Sequence, residues 1–192
     1  MEKLIKVGSK NVRMRASALI PRLYRFKFGR DIVQDMAKLK ESYDKAVKLS
    51  EAATEEEKNN AQLSVLDLTL FENIAYIMAF HADSNIPPTP EEWLEEFDTF
   101  SIYEVLPVIM DMWRINKMTT ATPKKNIKDT TRESTGATFM LRCAELNLSD
   151  SALSNMTMGM VYDMLIERAN DNEKYPYKAT QEDIERFFGR GD

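Results

Sequence analysis

The chain changes periodicity several times. Leu4, Ile5 and Val7, the pair Gly8-Ser9, then Val12 and Met14 read as two short strands around a tight turn. From Ala18 the apolar spacing becomes helical, with Leu19, Leu23 and Phe26 at steps of three and four and a break at Gly29. A second helix is predicted from about Asp31 to Leu49, carrying Ile32, Met36, Leu39, Tyr43 and Val47 on one side. Thr54 with Glu57 fits a capping box, and the helix it opens should reach about Phe80. Between Leu63 and Phe80 apolar residues cover nearly every face, so that helix must be enclosed by other elements or by a partner. Asp67 and Glu72 in its middle speak against a membrane span.

Pro87-Pro88 closes this unit. Thr89, Pro90, Glu91 and Glu92 then supply an N-cap, a first-turn proline and acids for a short helix with Trp93, Leu94 and Phe97. Ser101 and Glu104 form another capping pair before a helix through Trp113, which Pro107 should kink or restart. The stretch Asn116 to Thr135 is polar. Helical spacing returns with Phe139, Met140, Cys143 and Leu146, breaks at Asn147 to Asp150, and resumes after Thr157 with Met158, Val161, Tyr162, Leu165 and Ala169 on one face. Tyr175-Pro176-Tyr177 reads as a rigid extended turn. Thr180 and Asp183 frame a last helix with Ile184, Phe187 and Phe188, stopped by Gly189. The predicted fold is mainly α: a helical domain with a β-hairpin over 1–116, a flexible basic linker over 117–135, and a small helical extension over 136–192. The first part should fold alone, since its capped helices all lie before Asn116.

Composition narrows the function classes. A hydrophobic share of 43% with 30% charged residues describes a globular chain rather than a disordered one. No window reaches eighteen uncharged apolar residues and the start has no signal-peptide core, so no membrane partner is expected and the cytoplasm is the expected compartment. Cys143 is the only cysteine and His81 the only histidine, which leaves no intrachain disulfide and no ligand set for a structural metal. Charge is partitioned: residues 1–30 hold nine Lys/Arg against one acid, and residues 31–116 hold six against eighteen. The basic front could face phosphate, an acidic partner or its own acidic neighbour. It lacks the aromatic interleaving of a nucleic-acid platform, and the helix pair from Thr138 to Ala169 carries Asp163 and Glu167 where a recognition helix would carry cations. Nucleic acid is disfavoured.

No glycine-rich phosphate loop is present, Cys143 has no histidine in its own segment, and adjacent acids such as Glu91 and Glu92 face apart on a helix, so neither an enzyme nor a cofactor is expected. Apolar surface is the better clue. Phe71, Tyr76, Ile77 and Phe80 are either core or a groove for a partner helix, and Trp93 and Phe97 lie on the next helix. Met156, Met158, Met160 and Met164 are either an adaptable binding surface or the filling of a small core, with Tyr162, Tyr175, Tyr177, Phe187 and Phe188 as further contact candidates.

Specific strings add a resemblance. Ile5-Lys6-Val7-Gly8, Ala16-Ser17-Ala18 and the run Pro21 to Ile32 resemble the opening of tail assembly chaperones from long, non-contractile-tailed bacteriophages. Trp93 to Phe97 and Val105-Leu106-Pro107 to Trp113 fit the same family. Leu141 to Leu146, Met158 to Met164 and Tyr175 to Asp183 resemble the extension on the longer form of such chaperones. The resemblance covers both halves and skips the joint. It implies a non-enzymatic factor that keeps the tape measure protein soluble through its first part and helps bring in tail tube protein through its extension. It also implies action in the bacterial host cytoplasm and absence from the mature virion, and it leaves open a homo-oligomer or assembly with a short form. The long form in that family commonly arises by programmed frameshifting, and Lys124-Lys125-Asn126 could be encoded by an adenine-rich slippery run, which would place the slip inside the joint. The alternative reading is a small regulatory or nucleic-acid-binding helical protein.

Overall fold

The computed structural model describes residues 1–52, 68–124, 131–171 and 179–188, with side chains described up to Lys45 in the first stretch and up to Phe187 in the last. Strands β1 (Glu2–Val7) and β2 (Lys10–Arg15) pair antiparallel with Ile5 opposite Val12. Alternation sends Ile5, Val7, Val12 and Met14 inward and leaves Leu4 outside. Gly8 takes φ 55° at the turn, and a Cβ there would meet the Asp98 carboxylate at 2.2 Å. The same carboxylate accepts from the Ser9 N–H at 3.2 Å, so the turn is pinned to the chain before the fifth helix.

Helix α1 (Ile20–Phe28) ends on Gly29 in the left-handed region, whose N–H reaches the Arg25 carbonyl. Its inward face is Ile20, Pro21 and Tyr24, while Phe26, expected on that face, is 92% exposed. Tyr24 sets the rotation. Its hydroxyl donates to the buried Asp35 at 2.9 Å, and Arg30 donates to both Asp35 oxygens at 2.7 and 2.9 Å. A buried carboxylate needs those donors, and meeting them outweighs one exposed ring.

Asp35 lies on α2 (Ile32–Ala52), whose Ile32, Met36 and Leu39 are buried as the spacing predicts; Tyr43 is half-buried and the Val47 side chain lies outside the described set. Helix α3 (Leu68–Ala82) runs through the middle, with Leu70, Phe71, Ile74, Ala75, Tyr76, Ile77, Met78 and Ala79 all buried. The capping pair Thr54 and Glu57 expected to open it lies outside the described residues. Around α3 stand β2, α1, α2, α4 (Pro90–Leu94) and α5 (Ile102–Asn116). Thr89 caps α4 by accepting from the Glu92 N–H at 3.2 Å. Ser101 begins α5 without a side-chain cap bond, and the helix runs through Pro107 without an interruption in its assignment. The chain is thus mainly helical with one antiparallel hairpin, as the periodicity predicts.

The remaining helices are α6 (Gly136–Glu145), α7 (Asp150–Asn155), α8 (Met158–Asn170) and α9 (Gln181–Phe188). Thr135 and Thr138 form a reciprocal capping box, and Ser149 and Thr157 cap α7 and α8. Helix α7 falls where a break alone is predicted. Asn147, at φ 54°, ends the preceding helical turn, and Ser149 restarts the chain two residues later.

Phe139, Cys143, Leu153, Met158 and Val161 join the same hydrophobic cluster as the hairpin, α1, α2, α3 and α5. Part of the expected joint is anchored rather than loose. On α8, Asp163 accepts from the Thr120 and Ala121 N–H groups at 2.8 and 2.9 Å. Two turns further on, Asn170 accepts from the Lys124 N–H at 2.8 Å and donates to the Thr122 carbonyl at 3.1 Å. Residues 125–130 lie outside the described set. Other ties cross between the halves. Asp31, which caps α2, accepts from the Gly136 N–H at 2.9 and 2.8 Å. The Ala18 N–H reaches the Met156 carbonyl at 2.8 Å, Arg15 reaches the Ser154 carbonyl at 2.8 Å, and Arg22 pairs with Asp150. The buried Asn116 amide donates to the Ser17 carbonyl at 3.3 Å and accepts from the Met158 N–H at 3.2 Å.

Gly159 lets α8 come this close: a Cβ there would lie 1.7 Å from the Met118 carbonyl oxygen. Backbone cannot yield by a side-chain rotation. Gly159→Ala should therefore destabilise the chain by on the order of 2 kcal/mol, seen as a lower urea midpoint, whereas Met160→Ala, at an exposed neighbour, should leave the midpoint nearly unchanged. Equal midpoints for Gly159→Ala and the parent chain would refute this close approach.

Candidate functional site

A groove lies between α2 and α5. From α2 come Val33, Met36, Ala37, Lys40, Tyr43 and Asp44, a run of helical spacing; from α5 come Met110, Asp111, Trp113, Arg114 and Lys117. Its volume is about 600 Å³. The floor is apolar: Met36 is 1% and Trp113 7% exposed, and Tyr43 and Met110 are half-buried. The rim is charged and internally paired, Lys40 with Asp44, and Asp111 with both Lys3 at 2.6 Å and Arg114 at 2.8 Å. The Lys3 hydrogen bond, and after it that of Arg114, holds the Asp111 carboxyl below the usual carboxylate range. The stretch from Val33 to Asp44 spans about 17 Å at the helical rise, the length of roughly three turns.

The basic front largely answers acids of its own chain. Lys3 pairs with Asp111, Lys10 with Glu96 at 3.6 Å, Arg22 with Asp150 and Arg30 with Asp35. Of the readings left open for that front, the acidic neighbour is the one the geometry favours.

The residues expected at a partner surface divide. Phe71, Tyr76 and Ile77 are core, exposed by 1% or less, because α3 is surrounded; they present nothing to a partner helix. Phe80 is half-buried and stacks on Tyr76 with ring centroids 5.8 Å apart. Trp93 is 2% exposed and meets Tyr76, Phe97 and Phe100 edge-on or tilted, so it serves mainly as an aromatic anchor for α4. One edge of Trp93, with Phe97, lines a second cleft of about 260 Å³ against Leu4, Lys10 and Val12 of the hairpin. Met158 is fully buried, and Met156 is half-buried with its carbonyl held by Ala18. Helix α8 docks through that end, so these two methionines fill core. Met160 and Met164 face outward, 51% and 40% exposed. Tyr162 is half-buried against Phe139, and burial pushes its phenol pKa up. Phe187 is 85% exposed. The Phe188 side chain, Tyr175 and Tyr177 lie outside the described set.

Sequence periodicity passes over the groove because α2 carries two adjoining apolar strips. One, Ile32, Met36 and Leu39, faces α3; the other adds Val33, Ala37 and Tyr43 and widens the face beyond what one packing partner covers. That extra width was the available signal.

Cys143 and Ser17 are buried, and His81 is half-buried. Cys143 is 2% exposed, and burial pushes its thiol up to about 11, so it remains a thiol at neutral pH. Ser17, fully buried, lies 2.8 Å from His81 Nε2 and also accepts from the Leu19 N–H at 3.1 Å. The hydroxyl and the half-buried imidazole share one hydrogen bond whose direction follows the histidine tautomer. No group of three metal-ligating residues occurs among the described residues, and none of their helices is long and apolar enough to cross a membrane. No protein family, curated protein or solved structure matches this chain.

Burial, with Arg15 and the N-terminal ammonium nearby, lowers the His81 pKa from 6.5 to about 4. With the folded value depressed, the unfolded chain binds more protons between these values. The contribution is full above about pH 6.5 and is lost as pH falls toward about 4. Urea melts at pH 7 and pH 5 should differ by about 1 kcal/mol more in the parent chain than in His81→Gln. An unchanged difference would show that His81 is not held neutral by the fold.

Proposed function

We propose that this chain is a non-enzymatic assembly chaperone of the long-tailed phage type, holding an apolar helical segment of a tape measure protein in the groove between α2 and α5. The observation that carries the reading is that groove: an apolar floor about three helical turns long, edged by charges that already satisfy one another. A tape measure chain exposes long apolar helical surface before assembly, and a seat with few fixed polar demands accepts many such segments and releases them. Met110, like Met36, is flexible and polarizable, which suits a varied apolar partner. The resemblance of residues on both sides of the joint to the long form of these chaperones supports the same reading. In it, the segment from 136 onward, with Met160 and Met164 outward on α8, helps recruit tail tube protein. The work takes place in the bacterial host cytoplasm, and the chain does not remain in the finished virion.

Coexpression tests this directly. The tape measure protein should move from the insoluble to the soluble fraction with this chain, and Ala37→Glu, which places a charge on the exposed groove wall, should abolish the gain. A tape measure protein equally insoluble with and without the chain would sink the proposal. Tight, salt-sensitive binding to duplex DNA would favour the regulatory alternative instead.

A further inference from the structure

Helix α1 turns an aromatic ring and an unanswered charge outward. Phe26 stands opposite the buried Ile20 and Tyr24, almost wholly exposed, and the space beside Gly29, one turn further on, is open. The helix carries no acid. Arg22 is answered by Asp150 and Arg30 by Asp35, but the exposed Arg25 guanidinium has no partner among the described residues. Lys27, on the other flank of Phe26, donates to the Pro88 carbonyl and lies 5.6 Å from the Tyr76 ring centroid, so it meets no carboxylate.

Helix α4 presents the opposite charge. Its inward side is Pro90 and Trp93, which leaves Glu91, Glu92 and Glu95 on the outward side, all exposed. Lys10 takes Glu96, but among the described residues no cation pairs with the other three. Glu91 and Glu92 suit the start of a helix, whereas Glu95, at the C-cap, meets the unfavourable end of the dipole. Burial, and after it the Glu91 charge, pushes the half-buried Glu72 carboxyl up, so the acids here repel one another without compensation. Pro88, exposed, stands two residues before the helix. The bond from Lys27 to Pro88 makes the two faces neighbours on one chain. A ring with a free cation beside a proline with free acids is self-complementary under a two-fold axis.

We propose that two copies of this chain pair through these faces about a two-fold axis, Phe26 of each copy on the Pro88 ring of the other and Arg25 toward the other's Glu91 and Glu95. Each contact forms twice, so the association closes at two copies. Two short helices from each copy make an interface below about 1,200 Å², the range of weak and exchangeable pairs. Phe26 supplies the apolar anchor, and the charges around it select the partner face and make the pairing sensitive to salt. No residue of α1 or α4 lines the α2–α5 groove, so the pairing does not depend on what that groove holds.

Sedimentation of the full chain at low salt, from about 5 to about 500 µM, tests it. The average mass should rise with concentration toward that of two chains and no further, and should fall back in about 0.5 M salt. Phe26→Ser, which lacks the anchor, should stay monomeric. Arg25→Glu in one variant, and Glu91→Lys with Glu95→Lys in another, should each stay monomeric, because each sets like charges together twice. An equimolar mixture of these two charge variants should pair again, since every contact in the mixed dimer joins opposite charges, and that recovery shows both to be folded. A parent chain monomeric throughout, growth beyond two copies, Phe26→Ser pairing like the parent, or a mixture of charge variants that stays monomeric overturns the proposal. A monomeric parent in which Phe26→Ser abolishes solubilisation of the tape measure protein would also overturn it and give the α1 face to that partner.

Discussion

The fold depends on one helix that is apolar on nearly every side. With eight buried residues between Leu70 and Ala79, α3 can exist only inside other elements, and each buried large side chain contributes about 1.5–3 kcal/mol relative to exposure. The hairpin, α1, α2, α4 and α5 are what enclose it. A two-stranded hairpin is marginal alone; here Val7 and Met14 are fully buried against the cluster that α3 organises. The aromatic group of Tyr76, Phe80, Trp93, Phe97 and Phe100 closes the far side. Enclosure consumes the inner strip of α2 and leaves its second strip outside, which is how the groove arises.

The segment after the joint is held by a different chemistry. Its apolar share is modest, five residues of the shared cluster, and much of its docking is main chain to side chain. Asp31 joins the starts of α2 and α6, Asn116 joins Ser17 to Met158, and Asp163 and Asn170 hold residues 120–124 along α8. Such bonds fix position more than they add net stability, about 1 kcal/mol each. Gly159 against Met118 makes the approach close enough for them to form.

Much of this was legible from residue order. The hairpin around Gly8-Ser9, the Gly29 stop, the caps at Thr89 and Thr157 and the enclosure of α3 follow from local rules that tertiary context did not override. Phe26 escaped because a hydrogen-bonded carboxylate on a later helix, Asp35, sets the rotation of α1. The anchoring of residues 120–124 escaped because Asp163 and Asn170 are polar, and polar residues two turns apart look like any solvated face. Phe71 and Ile77 could not be assigned to core or groove without knowing how many elements surround α3. The groove was hidden for a related reason, since an apolar strip does not say which neighbour covers it. The methionines divided by position: Met158 starts a docked helix, while Met160 on the next face is exposed.

The account holds that the chain before Asn116 and the helices α6 and α8 form one cooperative body, from which the α2–α5 groove and α9 face outward. Native-state hydrogen exchange across a denaturant series measures this. The most protected amides of α6 and α8 should open with the same free energy as those of α3, by global unfolding alone. Protection in α6 and α8 that is lost at clearly lower free energy, while α3 stays closed, would contradict it and return the joint to a hinge between independent parts.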